Sequence, residues 1–87
     1  MTTAERIREK LQTLQPQRLE IADDSALHAG HAGAASGGGH YHVLIVSEFF
    51  RDKNQVARHR LIYSALGEMM KKEIHALSIQ ALTPNEV

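Results

Sequence analysis

The chain has 87 residues, 43% of them hydrophobic, with ten basic and ten acidic residues that cancel, six histidines and no cysteine. That length supports one domain, residues 1–87, with a modest core, and the composition excludes a disordered chain. The missing thiols exclude a disulfide framework or an all-cysteine metal site made by this chain alone, and the charge balance leaves attraction to nucleic acid to a local basic patch only.

In chain order, MTTAERIREK is charged and helical in character. It has no apolar centre of the kind a secretory signal needs, and no later run nears the ~20 apolar residues of a membrane span, so a cytoplasmic protein without membrane attachment is expected. Thr2 and Glu5 have capping-box spacing, and Ile7, Leu11 and Leu14 form one apolar stripe before Pro16 stops the helix. Arg18 to Ala22 alternates as a short strand that ends at Asp23-Asp24. The sixteen residues from Asp24 to Gly39 then form a loop rich in Gly and Ala, long enough to expect a function for it.

HYHVLIVS, from His40 to Ser47, is the strongest strand, and its VLIV centre predicts a central position with at least one face covered. Asp52 and Gln55 suit the start of a second helix running to about Lys72. Its broad apolar face would hold Val56, Ile62, Tyr63, Leu66, Met69 and Met70, with His59 at the centre as a core residue bonded to backbone. Lys53, Arg60 and Lys71 share one polar stripe of that helix. The last strand runs from His75 to Ala81, with Leu77 and Ile79 in one row and Ser78 and Gln80 in the other. The order is αββαβ, an α+β domain with a three-stranded mixed sheet and helices on one face.

The histidines raise the question of function. HxxH in the loop (His28, His31) and HxH on the strand (His40, His42) are weak metal motifs taken singly. Topology strengthens them. A helix joins the second and third strands, so if these are neighbours they run parallel through a right-handed crossover. Both then start at the same rim, with His40 on one, His75 on the next and the loop carrying His31 above. A rim of imidazoles without thiols suits the histidine half of an iron–sulfur site whose thiolates come from a second molecule. Against an enzyme, there is no Ser or Cys nucleophile beside a His, no carboxylate pair in apolar context and no phosphate loop.

RHRLIYSALGEMM followed by IHALSIQALTP, with GHAG and HYHVLIVS upstream, closely resembles the BolA family across essentially the whole chain. The resemblance implies a fold similar to class II KH domains and partnership with a monothiol glutaredoxin, in heterodimers that bridge a glutathione-ligated [2Fe–2S] cluster with roles in iron homeostasis. It implies that His75 is the principal cluster ligand and His31, in the loop, the second, with His28 and His40 as substitutes; this places the chain in the family's histidine-loop branch. Homodimer formation stays open. The family also carries a transcription-regulation label. Class II KH domains grip nucleic acid through a GxxG loop between two helices, whereas here the only GxxG, Gly30 to Gly33, lies between two strands. Weak DNA binding through Lys53, Arg60 and Lys71 is therefore the alternative reading.

Overall fold

Thr2 caps the first helix as its spacing predicts: its hydroxyl accepts from the Glu5 amide (3.1 Å), and the Glu5 carboxylate accepts from the Thr2 amide (3.0 Å). In this computed structural model, which describes residues 2–24 and 39–87, helix α1 (Thr3–Leu11) buries Ile7 and Leu11 completely. A 3-10 turn, Gln12–Leu14, continues the stripe and puts Leu14 into the core. Gln15 then takes a left-handed conformation (φ 49°), and Pro16 follows where a helix could not continue.

Strand β1 (Arg18–Asp23) pairs antiparallel with β2 (Gly39–Val46), which pairs parallel with β3 (Ile74–Leu82), so the order is β1-β2-β3 with the apolar strand in the centre. Register puts Leu19 and Ile21 of β1, Tyr41, Val43 and Ile45 of β2, and Leu77, Ile79 and Ala81 of β3 in matching rows. These rows pack with Ile7, Leu11, Ile62, Leu66 and Met69 into one hydrophobic cluster. Both helices therefore cover one sheet face, and Arg18, Glu20, His42, Ser78 and Gln80 lie exposed in the rows of the other.

Helix α2 (Gln55–Leu66) departs from expectation at both ends. Its cap is Asn54, whose Oδ1 accepts from the Ala57 amide (2.9 Å). Asp52, the expected cap, adopts a left-handed turn (φ 63°) instead. The α-helix stops at Leu66, because Gly67 takes φ 56° and turns the chain into a 3-10 segment, Gly67–Lys71. Met69 still reaches the core from that segment, which is why the apolar spacing seemed to continue the helix.

The face of α2 also needs correction. Val56 is 59% exposed and Tyr63 40% exposed, so neither belongs to the core, and His59 is only half-buried. The basic residue that α2 does bury is Arg58, 5% exposed. Its Nε donates to the Lys53 carbonyl (2.7 Å), and Nη1 donates to the Ala81 carbonyl (3.0 Å). Nη1 and Nη2 also grip the two Glu86 carboxylate oxygens (2.6 and 3.1 Å). A third 3-10 turn follows Ser47 at Glu48–Phe50, and a fourth, Pro84–Glu86, brings that carboxylate in.

Candidate functional site

Parallel pairing of β2 and β3 puts their first residues at one rim, as the crossover argument requires. The Gly39 amide donates to the Glu73 carbonyl (3.0 Å), and the Asp24 amide donates to the His40 carbonyl (2.8 Å), so the described chain leaves β1 and re-enters at β2 beside the start of β3. The register there is irregular: Gly39 pairs with Ile74, and the next pair is His40 with Ala76. One residue of β3, His75, is left over. A bulge of this kind unpairs its extra residue and re-aims its side chain.

The result is a histidine pair. The His40 and His75 rings stand with centroids 5.2 Å apart and planes tilted by 45°. His75 is exposed and His40 half-buried. Beside them a hollow of about 170 Å³ is lined by Asp24, His40, Tyr41, Ala76, Leu77 and Ser78. Two imidazoles at this separation can both offer nitrogen to a group seated over the rim, and neutral imidazole is a ligand for iron, zinc, copper and nickel. The donor set thus fits the imidazole part of a shared cluster site. Among the described residues no group of three or more His, Asp or Glu side chains is placed to hold a metal ion.

Of the remaining histidines, His28 and His31 lie outside the described residues, as does Gly30 to Gly33. His42 is exposed two residues beyond His40, opposite Ser78. His59 stands away from the rim, on α2. What the sequence did not disclose is the bulge, since nothing in IHALSIQ marks which residue will lack a partner.

The basic stripe is not a single helix face. Lys53 precedes α2, Lys71 lies in the 3-10 segment beyond Gly67 and pairs with Glu68 (3.3 Å), and only Arg60 is exposed on the helix itself. Arg51, beside them, is held by Glu48 (2.6 Å). A second hollow, about 460 Å³, lies between α1 and the end of α2, where Arg6, Lys10 and Lys72 stand among Glu68 and Glu73. Arg6 is bonded to Glu73 there (2.9 Å). No helix among the described residues is long and apolar enough to cross a membrane.

Residues 11–86 match the family described as BolA-like protein. Protein BOLA1, chloroplastic, of Arabidopsis thaliana is 48% identical over 87 residues, covering 95% of this chain and 54% of that protein. The DNA-binding transcriptional regulator BolA of Escherichia coli (strain K12) is 40% identical over 87 residues, covering 99% of this chain and 80% of its own. Among solved structures, the BolA domain of SufE1 from Arabidopsis thaliana superposes with a TM-score of 0.85 at 47% identity, over 100% of this chain and 99% of that one. The chain spans only 24% to 56% of the length of the first curated relatives it matches.

Proposed function

Since the chain belongs to the BolA-like protein family, we propose that it is a binding protein that docks a monothiol glutaredoxin and takes part in assembly, transfer or sensing of a glutathione-ligated [2Fe–2S] cluster. The observation that carries this reading is the pairing of His40 with His75, 5.2 Å apart at the rim where two parallel strands begin. The chain has no cysteine, so thiolate ligands for such a cluster come from the glutaredoxin and glutathione. His75 is the principal ligand, carried by a bulge that turns it out of the strand ladder. His31 is the second, with His28 and His40 as substitutes. The chain's part is to offer imidazole nitrogen on one iron and to present a surface that a second protein can close.

The test is the visible absorption and circular dichroism spectrum of a mixture with a monothiol glutaredoxin and glutathione. A spectrum distinct from that of the glutaredoxin homodimer is expected, because nitrogen replaces sulfur on one iron. His75→Ala should abolish that spectrum with the fold retained, and His31→Ala should shorten the cluster's lifetime. A mixture spectrum identical to the homodimer's would sink the reading.

The name of the Escherichia coli relative favours a second reading, DNA binding, for which the exposed Lys53, Arg60 and Lys71 are the candidate cations, Arg60 being the one carried by α2. If these three cations make the contacts, binding would involve few phosphates and would weaken as salt rises, with a shallow slope. Tight, sequence-selective binding at physiological salt would promote this reading over the first.

A further inference from the structure

An imidazole nitrogen lies ~2.0–2.1 Å from a bound zinc-like ion, which puts the ring centre ~3.2 Å away, so two rings meeting at a tetrahedral angle have centres ~5.2 Å apart. The His40 and His75 centroids are 5.2 Å apart. Their backbones sit on hydrogen-bonded neighbouring strands, with His40 opposite Ala76, the residue after His75. His40 is paired, and His75 is held between the paired residues Ile74 and Ala76, so both side chains are restricted at their roots and little order remains to be imposed when a ligand arrives. Solvent reaches His75, which leaves outer coordination positions to water.

We propose that His40 and His75 form a two-imidazole chelate for a single divalent transition-metal ion, bound by this chain alone with water completing the coordination. Imidazole without thiolate suits Cu²⁺, Ni²⁺ and Zn²⁺ better than soft monovalent copper, which thiolates and thioethers select. Such an ion needs neither sulfur ligands nor a second protein, which separates this site from the cluster reading even though both use His75. An ion seated there would occupy His75, the principal imidazole of the glutaredoxin-held cluster, so the two ligands would compete for one rim.

The experiment uses the full chain, stripped of metal and without glutaredoxin, at mildly basic pH. Zn²⁺, Ni²⁺, Co²⁺ and Cu²⁺ are titrated by calorimetry, and zinc also by the ring nitrogen resonances of the six histidines. One ion per chain is expected, with affinity rising from cobalt through nickel to copper and zinc below copper. Zinc should move the His40 and His75 rings. His40→Ala and His75→Ala should each weaken binding by roughly tenfold or more, a loss of about 1.4 kcal/mol per factor of ten. His42→Ala and the His28→Ala/His31→Ala pair should leave it unchanged. Amide spectra report the fold of each variant, and His75→Gln, which retains a polar side chain of similar reach, replaces His75→Ala if that variant unfolds. The proposal is overturned if no ion binds, as for a ring–ring contact alone, which also spans this distance. Binding that survives His40→Ala, or that is lost in the loop pair, overturns it equally. None of these outcomes involves glutaredoxin, so a failure here leaves the cluster spectrum of the mixture as a separate test.

Discussion

Arg58 is a buried cation with its donors spent on three separate segments: the Lys53 carbonyl before α2, the Ala81 carbonyl of β3 and the Glu86 carboxylate of the last turn. A buried charge is tolerable only when paired and bonded in this way, and Phe50, fully buried with its ring centre 6.0 Å from the guanidinium carbon, adds a polarisable face. Arg58→Ala should therefore cost about 3 kcal/mol, measured by urea denaturation, because two carbonyls and a carboxylate lose their donor at once. Glu86 answers from the other side. Hydrogen bonds from Arg58, and then from the Thr83 amide, lower its pKa from 4.5 to about 2. A depressed folded-state value means its stabilising contribution is complete above pH 4.5 and is lost as pH falls toward 2. Stability curves of the native chain and Glu86→Gln should thus be separated at neutral pH and converge in acid; parallel curves would show that Glu86 does not carry that dependence. None of this was legible in RHR, since a helical wheel places Arg58 on a flank and cannot know that a carboxylate from the far end of the chain will meet it.

At the scale of elements, stop signals proved less legible than start signals that close locally. The Thr2–Glu5 box was readable because both partners lie within one turn. The start of α2 was not, because Asp52 and Asn54 are both good caps, and the choice depends on which one the preceding turn forces to positive φ. The end of α2 was hidden by Met69, which stays on the apolar period while the backbone has already changed. Gly67 is the residue that makes the change: an added Cβ would meet nothing within 4 Å, yet its φ of 56° with ψ of −126° is one that side-chain-bearing residues rarely adopt. Gly67→Ala should accordingly lose about 1–3 kcal/mol by backbone strain alone. The check is a denaturation midpoint that falls with an unchanged slope; an unaltered midpoint would mean the turn relaxes freely. Parallel pairing of the last two strands was readable from the intervening helix, so the meeting of His40 and His75 could be foreseen at the level of a rim. The one-residue offset that turns His75 outward could not, because a bulge depends on how β3 seats Ile74 against the core.

At the scale of the whole molecule, the described residues gather around one core, with helices on one side of a three-stranded sheet. Ile7 and Leu11 are fully buried in it although they lie close to the start of the chain. Ile7→Ala should cost about 2–5 kcal/mol, a large share of what a domain of this size has, and should appear as a fall in thermal midpoint with the sheet still formed at low temperature. Amide exchange should rank the strands: Val43 to Val46, in the strand bonded on both edges, exchange only through global opening, while edge amides of β1 exchange sooner. Equal protection across β1 and β2 would contradict that ranking.

The place of β2 also has a consequence in time. During synthesis its first edge can be closed at once by β1, which precedes it. Its second edge stays bare until α2 and then β3 have been made, because a parallel neighbour requires the intervening crossover. At roughly 5–20 residues per second, the nascent chain displays an unpaired VLIV segment for on the order of a second or more. Sticky, half-built sheets of this kind are where a ribosome-bound chain meets its neighbours, so yield in the cell should depend on how quickly β3 arrives. Slowing translation between Ser47 and Ile74 with rare codons should lower the soluble fraction without altering the finished protein's stability.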